Sequence, residues 1–207
     1  MSKVPRKTNQ DAGKATRKQI LEFTLAFIQQ EGLSALTVRT IAERAGVNVA
    51  AVNYHFGSKE ALINEVMLLL TGGLQQAFTH LNDSRVPPAK RLHRFLDELS
   101  LALLKHATIY RQAIGLGFLS GDAKQQYASF VRSEGIVALR ETVQSALGTP
   151  IDELRLTLRI SQAIGGLAYP LLVAPFLEDV GGLQFHDDAV RREHVRGCLE
   201  ALLRPEK

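Results

Sequence analysis

Between positions 37 and 59 the chain sets out Thr37, Arg39, Asn48, Asn53, Tyr54, His55 and Lys59, which carry hydroxyl, guanidinium, amide, phenol, imidazole and ammonium groups. Their shared chemistry is hydrogen bonding and ion pairing, with no nucleophile or carboxylate pair among them. Such groups suit phosphate oxygens and base edges. An asparagine can pair bidentately with adenine, and small apolar neighbours such as Val49, Ala50 and Ala51 can meet a thymine methyl. Bond-making chemistry finds no support elsewhere. The histidines, at 55, 80, 93, 106, 186 and 194, form no HExxH motif, and no Gly-rich phosphate loop or GxSxG elbow is present. The run FHDD at 185–188 reads as the polar start of a helix, and Cys198 as a packed thiol on the last helix. No catalytic residue, metal or cofactor is expected.

These groups need elements that present them, and the same stretch supplies two short helices joined by a tight turn. Thr37 is placed to cap the first, its hydroxyl accepting an unpaired backbone N–H. Leu36 and Ile41 are spaced as a hydrophobic staple across that start. The pattern repeats with Asn48 as cap and Val47 and Val52 as staple. Gly46 lies between the helices, where a left-handed backbone would penalise a side chain. Ala42 and Ala45 are small enough for the helices to approach closely. This is a helix-turn-helix signal. In the second helix Val52 and Phe56 turn inward, leaving Val49, Ala50, Ala51 and Asn53 to read bases. Tyr54 and His55 reach phosphates from its end, His55 having packed imidazole as its other role. Arg39 reaches a guanine or only a phosphate, and Thr37 is a cap alone or a cap and phosphate contact. Ser58 caps the following helix, and Lys59 stands in its first turn. There the helix dipole disfavours a cation by a few tenths of a kcal/mol, a sign that a bound phosphate reverses.

The run from Ile20 through Leu62, with its G-x(4)-TVRxIAExAGV core, YHF triplet and SKExL close, resembles the DNA-binding domain of TetR-type regulators. The resemblance implies a homodimer joined through the last two long helices of each subunit as a four-helix bundle. It also implies a ligand cavity among helices four to seven, whose occupant changes the separation of the two readers. At the position of Asn53 the family commonly has tyrosine, so no operator sequence carries over. Segment 151–177 points to association independently, because SQAIGGLAYPLLVAPFL is too apolar for an exposed helix of a monomer. It is either that interface or the central core helix.

Charge follows the same division. The chain of 207 residues has net charge +4, yet residues 1–59 hold nine Lys/Arg against four Asp/Glu, while the remainder is close to neutral. A basic surface beside a groove-reading unit supplies sequence-independent attraction to phosphate. Lys3, Arg6, Lys7, Lys14, Arg17 and Lys18 supply most of the excess; those from Lys14 to Lys18, next to the first helix, are the better candidates for it, and residues 1–13 read either as a contacting arm or as a solvated tail. With 45% hydrophobic residues the chain can bury a real core. One cysteine excludes a disulfide framework. No apolar run spans a membrane and no signal peptide precedes the first helix, so a cytoplasmic location is expected.

Apolar residues recur at helical spacing nearly throughout, which predicts an all-α, nine-helix, two-domain architecture. Residues 1–15 are expected as a flexible basic arm, 16–60 as the helix-turn-helix domain and 61–207 as a ligand-binding and dimerisation body. The first helix is expected to start at a Thr16 cap. A fourth runs from Lys59 to about His80 with Leu62, Val66, Leu69 and Leu70 inward. Five more cover 88–106, 108–120, 122–147, 151–177 and 187–203. Gly115, Gly117 and Gly121 weaken the second of these five, by about 1 kcal/mol each relative to alanine, and mark it as a moving part. The cavity wall is expected from Phe95, Leu99, Leu103, Ile114, Phe118, Phe130 and Tyr169, with His106, Arg111, Gln112 and Gln162 as polar contacts. The expected partners are double-stranded DNA, a second copy of the chain and a small hydrophobic or amphipathic effector. The competing readings are a DNA binder controlled by a protein partner, and a helical enzyme or carrier retaining a degenerate reader.

Overall fold

The structure, a computed structural model, describes residues 9–115, 125 and 128–205. Among them are ten α-helices and no strand: α1 (Asn9–Glu31), α2 (Val38–Ala45), α3 (Val49–Phe56), α4 (Lys59–Phe78), α5 (Pro88–Lys105), α6 (Ala107–Gly115), α7 (Ile136–Leu147), α8 (Glu153–Leu172), α9 (Ala174–Gly181) and α10 (Asp188–Leu202). A 3-10 turn follows α4 at Thr79–Asn82, and a π-turn at Val131–Gly135 leads into α7. The chain separates into two compact units, Met1–Leu69 and Leu70–Lys207. The division falls within α4, where the sequence pattern placed it at 60/61.

The first unit is built around fully buried Ile20, Ile28, Leu36, Ile41, Leu62 and Val66. Its α1 is longer than expected. Residues 9–15 are helical, and Thr16 lies inside the helix with its hydroxyl donating to the Ala12 carbonyl at 3.0 Å. A threonine can cap a helix or bond back to its own preceding turn; with no proline between Asn9 and Thr16 to stop the helix, the second geometry prevails. In α4 the buried rows are Leu62–Val66–Leu70 and Ile63–Met67, and Leu69 is 56% exposed. The buried face advances in steps of four, which moves Leu69 off its edge.

The second unit is centred on α5, whose Leu92, Phe95, Leu96, Leu99 and Leu103 are all buried. Helices α7, α8 and α10 pack against it. Residues 116–120 of the expected sixth helix, with Gly117 and also Gly121, lie outside the described residues. The expected helix 151–177 is two helices: α8 ends at Leu172, and α9 leaves it at a bend of 73°. Pro175, near the start of α9, cannot donate a backbone hydrogen bond to α8 but fits the first turn of a new helix. That break makes ten helices where nine were expected.

Long side chains tie this unit together. Buried Arg191 on α10 donates to the Asp97 carboxylate, to Ser100 Oγ at 2.8 Å and to Asp188 at 3.2 Å. Burial works against its charge, but the hydrogen bonds and fields of Asp97 and Asp188 outweigh it and its pKa is raised. Arg111 on α6 donates to the Leu172 carbonyl at 2.8 Å and to Thr108 at 3.0 Å. Between α8 and α10 runs a recess lined by Arg159, Gln162, Gly166, His194, Gly197 and Cys198. Burial pushes the half-buried Cys198 thiol up in pKa. No single helix among the described residues is long and apolar enough to cross a membrane.

Candidate nucleic-acid interface and apolar cavity

The turn between α2 and α3 is fixed by short-range chemistry. Thr37, in extended backbone, accepts from the Thr40 N–H at 3.1 Å, while Thr40 Oγ1 accepts from the Thr37 N–H at 3.0 Å. This reciprocal box satisfies two backbone donors at once. The sequence reading found the Thr37 half and missed Thr40, because glutamate or glutamine is the usual partner there. Gly46 ends α2 at φ 64°, and its N–H donates to the Ala42 and Glu43 carbonyls. Gln19, another residue the sequence did not single out, donates from its amide to the Ala45 carbonyl at 3.0 Å. Asn48 then caps α3, accepting from the Ala51 N–H at 2.7 Å. Ser58 caps α4, accepting from the Ala61 N–H at 3.0 Å. Buried Leu36 and Ile41 sit at the staple positions of α2, as half-buried Val47 and buried Val52 do for α3.

With Val52 and Phe56 buried, α3 turns Val49, Ala50, Asn53 and Tyr54 outward and leaves Ala51 half-covered. Tyr54 is 85% exposed. Asn53, Tyr54 and Lys59 make no side-chain hydrogen bond or ion pair among the described residues, so their donors face outward unspent. Half-buried His55 lies edge-on to Tyr54 at 5.2 Å and to Phe56 at 6.3 Å. Exposed Arg39 pairs with Glu43 one turn along α2 at 3.1 Å, and exposed Lys18 with Glu22 at 3.6 Å. Pairs this exposed contribute only about 0.3–0.5 kcal/mol, so either cation is released to a phosphate at small cost. Arg17, counted with the basic surface, is engaged inside the unit: it pairs with Glu65 and lies over the Phe56 ring at 5.0 Å. Lys14 is exposed, and Lys3, Arg6 and Lys7 lie outside the described residues.

In the second unit a cavity of about 350 Å³ opens between α5, α7 and α8. Phe95, Leu99 and Leu103, on the buried face of α5, are on its lining, joined by Phe78, Ile136, Leu139 and Ile160. The other expected wall and contact residues whose side chains are described do not line it. Tyr169 is 67% exposed. Gln162 lines the α8–α10 recess, and Arg111 is held on the Leu172 carbonyl. His106 ends α5, where burial lowers its pKa. Phe130 stands behind the wall, its ring edge-on to Phe78 at 5.3 Å. The side chain of Ile114 and all of Phe118 lie outside the described residues. Ser161 is the polar side chain on the described lining. Among the described residues no group of three or more His, Cys, Asp or Glu gathers to hold a metal ion.

Comparison with known proteins agrees with this geometry. The family described as bacterial regulatory proteins, tetR family, matches residues 20–66. The chain is 34% identical over 76 residues to the transcriptional repressor KstR2 of Mycobacterium tuberculosis, covering 37% of this chain and 38% of that protein. It is 32% identical over 77 residues to the transcriptional regulator BetI of Burkholderia lata, covering 37% and 40%. The chain thus spans about two fifths of the length of these curated relatives. Across nearly its whole length it shares the fold of the TetR family regulator PfmR of Thermus thermophilus, with a TM-score of 0.67, 22% identity, and coverage of 91% of this chain and 98% of that one. A TetR family regulator of Marinobacter aquaeolei superposes with a TM-score of 0.69 at 16% identity, covering 93% and 97%. The sequence likeness to TetR family regulators thus lies in the first unit, at residues 20–66, and the shared fold extends over nearly the whole chain.

Proposed function

From that likeness we propose that this chain is a homodimeric transcriptional repressor that grips a palindromic operator and lets go when a hydrophobic or amphipathic small molecule binds. The observation that carries this reading is the outward face of α3, where Asn53 and Tyr54 project unpaired donors from a helix capped at its start by Asn48, with Ser58 capping the helix that follows. Lys59 at the start of α4 joins two attractions for one phosphate, its ammonium and the free N–H groups of the helix start. Thr37, Arg39, Tyr54, His55 and Lys18 hold the backbone, while Val49, Ala50, Ala51 and Asn53 read base edges.

A unit of this size binds weakly alone at physiological salt. Two copies spaced about 34–36 Å apart reach successive major grooves. Exposed apolar side chains support such pairing: Leu154, Leu158 and Tyr169 on α8, then Phe176 and Val180 on α9, are all at least half exposed. A second copy covering them removes a large apolar patch from water. On α10 the exposed face is a ladder of Arg192, Glu193, Arg196 and Glu200, with Gly197 and Ala201 allowing close approach. The effector reading is supported by the apolar cavity beside α5.

Selection from random duplexes, followed by titration across a salt series, tests the proposal. The expected product is an inverted repeat bound by two chains, with affinity falling steeply as salt rises. Asn53→Ala should relax the preference at one base pair per half-site by about 1–3 kcal/mol. A monomer indifferent to every duplex at low salt would falsify the reading.

A further inference from the structure

We propose that Gly135 sets the size of the molecule that the body's apolar cavity admits, by giving the Phe78 ring a bare stretch of backbone to lie against. This rests on the reading that the cavity holds an effector. Gly135 is buried at the end of the π-turn, and a Cβ built on it would stand 2.9 Å from Phe78 Cε1 and 3.1 Å from Cδ1. Real side chains do not approach that closely, so any larger residue displaces the ring. The ring is hemmed by Phe95 at 4.9 Å and Phe130 at 5.3 Å. Its open direction is the cavity, which Phe78, Val131 and Ile136 border together. π-turns of this kind often mark functional sites inside helices, and this one brings a glycine to a ring that borders both the turn and the cavity.

Cavity size and lining define the class of occupant. A dry apolar cavity of about 150 Å³ holds benzene, so about 350 Å³ suits an uncharged body of about two fused rings, or its alkyl equivalent. No charged side chain is on the described lining, and a buried charge without a partner is strongly disfavoured. Ser161, exposed at the rim, offers one hydrogen bond to a hydroxyl or carbonyl.

The test uses the full-length protein and three aryl methanols, those of benzene, naphthalene and anthracene. The chain has no tryptophan, so fluorescence excited beyond the tyrosine band belongs to the probe; calorimetry serves for the smallest. The unmodified protein should bind the naphthyl probe most tightly. Gly135→Ala should weaken the naphthyl probe by about tenfold or more while holding the phenyl probe. Phe78→Leu should shift preference toward the anthryl probe, and adding it to Gly135→Ala should restore naphthyl binding. An unchanged size series in both Gly135→Ala and Phe78→Leu overturns the role of Gly135 alone. Should the unmodified protein bind none of the three, the effector cavity itself is refuted. If Gly135→Ala does not fold, the Phe78→Leu series decides.

Discussion

Thr37, Asn48 and Ser58 each accept a backbone N–H three residues further along the chain, whereas Arg191 reaches Asp97 across 94 positions and Arg111 reaches Leu172 across 61. The first unit therefore owes the posture of its reading helix largely to rules that act within a single turn. The second owes its shape to partners that only the finished fold brings together. Local control suits the proposed role of presenting the same few donors to a rigid duplex. Distributed control suits a body whose helices frame a cavity, because each contact there bears on several elements at once.

The contrast is most exposed to failure at Arg191. Replacing it with alanine leaves the Asp97 carboxylate without its partner and cuts the link between α10 and α5, and should destabilise the protein by about 3 kcal/mol, read as a lower urea midpoint. Asn48→Ala removes one local cap and should cost about 1 kcal/mol together with affinity for all duplexes, whereas Asn48→Asp should keep the stability. Were the order of these two losses reversed, distributed control would not describe the body. Least change in stability is expected from Lys59→Ala. It should weaken every duplex to a similar degree and lower the slope of log affinity against log salt by about 1, as measured by titration at several salt concentrations.

The same contrast explains what the amino-acid sequence made legible. Thr37, Gly46 and Asn48 could be assigned their places because capping and left-handed backbone are decided by a few neighbours. Thr40 escaped only because a second threonine stood where a longer acceptor is usual. In the body, the inward face of α5 was readable from its regular period. The register before α7 was not, since the π-turn at Val131–Gly135 adds a residue to one turn and rotates Phe130 relative to α7. Tyr169 and Gln162 were assigned to the cavity on composition, but packing against α5 and α10 decides which side of α8 faces inward. The break after Leu172 was present in the sequence as Pro175, a signal passed over because the apolar run continues through it.

The α8–α10 recess carries a convenience of its own. Cys198 is the chain's only thiol, and its burial keeps it protonated and sluggish toward alkylating reagents at neutral pH. Its rate of modification is thus a built-in clock for how often that seam is bare, readable on the unaltered polypeptide as concentration, duplex or small molecule is varied.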